Sequence, residues 1–187
     1  QVVNLESRKV VREIPLGRQP KEAKEKILHR GMEIFYDAER SLDQWYSCHS
    51  CHQDGGSNAK AMDTWNDGTA RTTKTVLPLA GVEHTAPWTW HGWQEDLNDS
   101  LQKSFVSTMQ GKEASKEDLQ ALRAYLGSLE TPPNPFKNNP KNADSVRRGK
   151  ELFKSSSVGC SDCHSGALFT DGLKHDVGMI RDSDKYD

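Results

Sequence analysis

Between Lys21 and Arg40 the apolar residues Ala23, Ile27, Ile34 and Phe35 recur at spacings that gather them near one face of a helix. A second stripe runs Leu119, Leu122, Tyr125, Leu126 and Leu129. Ser115 stands before it as an N-cap, with Asp118 three residues on and acidic residues in the first turn. Pro132-Pro133 predicts where that helix must have stopped. The stretch Thr131 to Asn142, rich in Pro and Asn, reads as a linker. The opening residues have another rhythm. Val2-Val3-Asn4-Leu5 and Val10 to Gly17, around Glu6 to Lys9, predict two short strands and a turn.

One pattern occurs twice. Arg30-Gly31-Met32-Glu33-Ile34-Phe35 is echoed by Arg148-Gly149-Lys150-Glu151-Leu152-Phe153, the self-similarity of duplicated units. Glycine is a poor helix former, so Gly31 and Gly149 predict a helix pressed close where a side chain would not fit. The expected organisation is an N-terminal β-hairpin over 1–20, a helical domain over 21–130, a linker over 131–142, and a second, incomplete helical domain over 143–187. The fold class is mostly α.

Each lead-in runs into the same chemistry. Cys48-His49-Ser50-Cys51-His52 and Cys160-Ser161-Asp162-Cys163-His164 use all four cysteines. Cys-x-x-Cys-His is the attachment signature of c-type haem: two thiols bond one haem, and the adjoining histidine reaches the iron. A zinc site would use four thiolates and leave both histidines unexplained. The motifs also lie over a hundred residues apart, unlike a compact zinc ribbon. A disulfide across two intervening residues closes too short a loop for a structural staple. A thioredoxin-like motif would not explain the duplicate. Two covalently attached c-type haems are expected, with His52 and His164 as axial ligands.

Composition supports this. Hydrophobic residues make up 34% of 187 and charged residues 28%, a poor supply for two ordinary cores. A haem inside each domain would provide apolar bulk. A net charge of −2 argues against nucleic acid as partner. No stretch has the length of a membrane span. The opening at Gln1 is strand-like and carries no leader pattern, as expected of a mature product or a fragment.

With these residues in view, the chain resembles class I cytochrome c domains. The order is helix, Cys-x-x-Cys-His, long loop, Met109, and a final amphipathic helix carrying Ala124-Tyr125-Leu126. The duplication resembles the di-haem cytochrome c peroxidase family. Gly166 to Gly178 is similar to the segment after that family's second haem motif, and Ala86 to Gly92 to its aromatic turn. The hairpin is similar to a blade hairpin of surface-layer-type β-propeller repeats, which implies a larger parent protein; an ordinary hairpin on the haem domain is the other reading. Covalent haem attachment implies a periplasmic or extracellular protein.

Met62, His84, His91 and Met109 are the candidates for the sixth ligand of haem 1, with Met109 favoured by its place before the final helix. A thioether ligand would raise the potential. Trp88 and Trp90, with Trp93, are expected to pack on the haem or shield its edge. His49 and His29 are expected at the surface. For haem 2 the candidates are His175 and Met179, with His175 preferred, unless the ligand lies further on. The resemblance places Thr108 where the peroxidases carry their catalytic glutamate, and threonine cannot take its proton-transfer role. No catalytic residue is therefore assigned. Glu83, Glu95 and Asp96 read as solvated charges and helix-start residues. The expected function is single-electron transfer, alone or inside a larger oxidoreductase, with a redox protein or parent protein as partner. Hydrogen-peroxide reduction is the alternative.

Overall fold

The structure, a computed structural model, describes residues 1–14, 17, 19–65, 72–137 and 139–178. Its centre is a crossing of two helices, α1 (Ala23–Tyr36) and α4 (Lys116–Gly127). Glu22 and Glu25 cap the start of α1 reciprocally. Asp37, in an extended conformation, ends it, and its carboxylate accepts from the Glu39 N–H to start a tight turn over Ala38–Arg40. The helix therefore stops four residues short of the expected Arg40. Ser115 Oγ accepts from Asp118 N at 3.1 Å and opens α4 as the sequence predicts.

Ile34, Phe35, Ala121, Leu122 and Leu126 fill the crossing and are buried. The larger of these side chains contribute about 1.5–3 kcal/mol each when removed from water. The helices come this close because residue 31 is glycine. A Cβ built there would overlap the Ala121 carbonyl oxygen and lie 2.7 Å from Tyr125 Cβ. Across the seam Asp118 receives Arg30 at 2.9 Å and Arg40 at 2.8 Å.

Between these helices the chain forms α2 (Cys48–Cys51), a long loop, and α3 (Leu97–Lys103). Asp96 caps α3 through Asn98 N and Asp99 N. The helix then widens into one π turn, Ser104–Thr108, which delivers Met109. After the exposed stretch 131–137 come α5 (Ala143–Lys154) and α6 (Cys160–Cys163). Lys174, beyond α6, folds back against Gly92.

Strand is confined, among the described residues, to two small antiparallel pairs. The first is β1 (Val2–Asn4) with β2 (Lys9–Arg12), the expected hairpin, although β2 ends at Arg12. Every residue of both strands is exposed. Pro15 and Leu16, expected within the second strand, lie outside the described residues. The second pair is β3 (Ala61–Met62) with β4 (Lys74–Thr75). The architecture is thus mainly helical, as read from the sequence. The two lead-in glycines differ: Gly31 is covered by α4, while a Cβ at Gly149 meets nothing within 4 Å among the described residues.

Candidate haem centres

Ser47 and Ser50 form a reciprocal cap that starts α2. One helical turn then places Cys48 and Cys51 on one face, at positions i and i+3. Both thiols are free. His52 ends the turn, its N–H donating to Cys48 O at 2.9 Å. Its Nδ1 lies 2.9 Å from Leu77 O. Burial lowers the His52 pKa, against hydrogen bonds to the Leu77 and Gly56 backbone that raise it. In the neutral ring Nδ1–H donates to Leu77, and Nε2 keeps its lone pair for a metal. Leu77 is held in place by its surroundings: Ser57 Oγ donates to Val76 O at 2.7 Å, and Leu79 N to Gly55 O at 2.8 Å.

Two methionines stand near this turn. Met62, on β3, has Sδ 3.6 Å from Cys51 Sγ. Met109 is 4% exposed and packs in the cluster of Phe35, Phe105 and Leu122, against which Cys48 also packs. Its carbonyl accepts from Leu42 N at 2.9 Å. Tyr46 Oη donates to the neighbouring Thr108 carbonyl, and burial, then Cys51, raises the Tyr46 pKa. Burial pushes the Cys48 thiol up to about 11. The Thr108 hydroxyl is buried without a hydrogen-bond partner among the described residues.

The tryptophans staple the loop. Trp88 Nε1 donates to Val82 O at 2.7 Å and Trp90 Nε1 to Thr75 O at 2.6 Å. Lys103 Nζ sits 3.8 Å from the centre of the Trp93 ring. His91 is half-buried in the same turn, while His84, beside Glu83, is exposed. Glu83 is not the solvated charge expected from the sequence. It is half-buried and pairs with Arg123 at 3.0 and 2.8 Å, hydrogen bonds that lower its pKa. Asp96 is the helix-start residue expected. His49 is also less exposed than expected, because its ring stacks on Tyr36 at 4.5 Å and leans on Phe35. His29 does lie towards the surface, beside Glu33.

The second centre repeats the arrangement. Gly159, at φ +76°, opens α6. His164 N donates to Cys160 O at 3.0 Å, and its Nδ1 lies 3.1 Å from Phe169 O. The Phe169 ring meets Phe153 edge-on at 5.8 Å. His175 Nε2 is 2.7 Å from Asp171 Oδ2, and both gather with Cys163 Sγ within 4.8 Å. A hydrogen bond from Leu173 N, then His175, lowers the Asp171 pKa. Met179 lies outside the described residues.

Twice, then, the fold presents two free thiols one turn apart and an imidazole whose Nδ1 faces a backbone carbonyl. That donor set fits a covalently bound c-type haem at both places. Leu77 and Phe169 could not be found from sequence, because each acts through its carbonyl and any residue type offers one.

The profile of the di-haem cytochrome c peroxidase family matches residues 25–140. Hydrazine synthase subunit gamma of Kuenenia stuttgartiensis is 28% identical over 175 residues, covering 84% of this chain and 50% of its own. Cytochrome c551 peroxidase of Pseudomonas aeruginosa is 27% identical, covering 83% and 57%. A solved Kuenenia stuttgartiensis hydrazine synthase chain superposes with a TM-score of 0.75 at 25% identity, over 91% of this chain and 66% of that one. The chain spans about half the length of the curated relatives it matches along most of its own length. Helical fold, paired attachment motifs and a profile over most of its residues together show that this chain belongs to the di-haem cytochrome c peroxidase family, whose members carry two covalently bound c-type haems.

Proposed function

We propose that this chain is a di-haem module that passes single electrons in the periplasm or outside the cell, alone or as part of a larger oxidoreductase. Its units run over 21–130 and 143–187, the second incomplete, joined by the linker 131–142. Each haem, when bound, supplies a one-electron iron couple. Cys48 and Cys51 hold one haem and Cys160 and Cys163 the other. His52 and His164 offer Nε2, oriented by Leu77 and Phe169. Met109 is the sixth ligand proposed for the first haem and His175 for the second. Trp88 and Trp90 tie down the loop that would border the first haem.

The observation that carries electron transfer over peroxide chemistry is the state of the carboxylates. Splitting an O–O bond requires a positioned acid–base group. Near the aromatic turn Glu83 is committed to Arg123, Asp96 caps α3, and Glu95 is exposed. Thr108, at the place the family resemblance gives to the glutamate, carries a hydroxyl that does not ionise near neutral pH and cannot take the acid–base role. Similarity to a subunit of hydrazine synthase supports a place in a larger assembly. A second ligand reading is favoured by one distance: Met62 Sδ, 3.6 Å from Cys51 Sγ, is beside the motif while Met109 is among core side chains.

Visible spectra of the haem-loaded chain, oxidised and reduced, with and without hydrogen peroxide, test the function. Two low-spin haems and no reaction with peroxide are expected. A high-spin haem that turns over peroxide after partial reduction would make the chain a peroxidase module instead.

A further inference from the structure

The two motif histidines are oriented by carbonyls that reach them by different routes. His164 Nδ1 faces Phe169 O, five residues on, inside a local turn where Phe169 N donates to Gly166 O at 3.5 Å. His52 Nδ1 faces Leu77 O, twenty-five residues on. A carbonyl from so far along the chain keeps its place only if its segment is gripped elsewhere. Val82 N donates to Leu79 O at 3.0 Å and opens a tight turn over Val82–His84. That turn is fastened to α4. Arg123 Nε and Nη2 donate to the two Glu83 carboxylate oxygens at 3.0 and 2.8 Å. The same guanidinium reaches Asn98 Oδ1 on α3 at 3.3 Å. The Glu83 stem lies against α4 as well: a Cβ at Gly127 would be 3.4 Å from Glu83 Cγ. Leu79 and Val82 pack on the core cluster that α1 and α4 share.

We propose that Arg123 is a positioning residue for the first haem: through Glu83 it keeps the Leu77 carbonyl on His52 Nδ1 and so sets that haem's reduction potential. Two parallel bonds from a planar guanidinium fix direction as well as distance. A carbonyl that accepts from Nδ1–H makes the imidazole a more basic ligand through Nε2. A more basic ligand favours ferric iron, and such hydrogen bonding is one of the protein's means of tuning a haem. Freeing the turn should therefore raise the potential of the first haem. The second haem, whose histidine is oriented within five residues, should not respond. The inference rests on His52 as an axial ligand of the haem held by Cys48 and Cys51.

The test is a redox titration of the haem-loaded chain, followed by visible absorption and by EPR of the ferric state. Glu83→Gln keeps the shape of the side chain and one acceptor. Arg123→Met keeps an apolar stem and removes the fork, and Arg123→Lys keeps the charge without the fork. One midpoint potential should rise and its low-spin EPR signal should shift, most in Arg123→Met and less in Glu83→Gln and Arg123→Lys. The other potential and signal should stay at their parent values. His52→Ala, run in parallel, identifies the responding signal as the one that it removes. No change in Arg123→Met with both haems attached would overturn the proposal. If that variant fails to load haem, no change in Glu83→Gln would do so. A joint shift of both potentials would also overturn it, as the mark of general loosening. If His52→Ala leaves both low-spin signals, the ligand reading has failed and the inference falls with it.

Discussion

His52 Nδ1 lies 2.9 Å from the carbonyl oxygen of Leu77, twenty-five residues along the chain. A side chain from the motif and a backbone group from the loop thus share one orientation problem. The hydrogen bond turns the ring so that Nε2 is free, and covalent attachment is the role proposed for Cys48 and Cys51. His52→Ala should therefore keep both haems by mass spectrometry while converting about half of the low-spin signal to high spin, since one haem of two loses its imidazole. Loss of one haem's mass would mean that the histidine is needed for attachment as well as ligation.

Met109 and Met62 make opposite predictions. Met109→Leu keeps volume in the core, since such swaps cost less than about 1.5 kcal/mol. It should abolish the weak red charge-transfer band of a thioether–iron bond, and Met62→Leu should leave that band unchanged. A band lost only in the Met62 variant would transfer the assignment to Met62. Met109→Ala is less informative, because emptying a buried methionine site costs about 2–5 kcal/mol on its own account.

The matched glycines should respond with opposite signs. Gly31→Ala forces a methyl group into the Ala121 carbonyl, and the chain should lose about 3 kcal/mol or more of stability. Gly149→Ala meets open space on an exposed helix and should gain roughly 0.5–1 kcal/mol. Denaturant titration of the haem-loaded variants separates the two.

Acid should loosen the α1–α4 seam through Asp118. Burial raises its pKa, but hydrogen bonds from Arg40 and Arg30 outweigh that and hold the carboxyl below its ordinary value. The folded pKa is depressed, so the stabilisation is complete above the unfolded value of about 4. It drains away as pH falls through the lower, folded value. Asp118→Asn should be less stable than the parent at neutral pH and should show a flatter decline below about pH 4 in thermal melts. An unchanged acid limb would remove Asp118 from this role.

Much of this architecture is legible along the chain. The stripe from Leu119 to Leu129 marks one of the two central helices, because a single buried face leaves a 3.6-residue period. Its partner is visible in position but not in length, since Asp37 ends it through backbone conformation and a local cap. Gly31 is informative because a glycine inside a helix needs a reason. Gly149 raises the same expectation, and the reason is missing among the described residues. The attachment motifs are legible because their chemistry depends on residue type. The Leu77 and Phe169 carbonyls are not, for the opposite reason. Glu83 escapes a local reading because its partner, Arg123, is forty residues away, and no local pattern reports a pair that only the fold brings together.

The π turn at Ser104–Thr108 bears on how the chain tolerates a change of length. A wide turn holds one residue more than an α-helical path needs. Removing one residue there should let the segment relax into regular helix, whereas at the centre of α4 it would turn every later side chain by about 100 degrees. This short stretch is thus where the domain can lose a residue and keep its helical path, and such a deletion would re-aim Met109 without changing a single atom of its side chain.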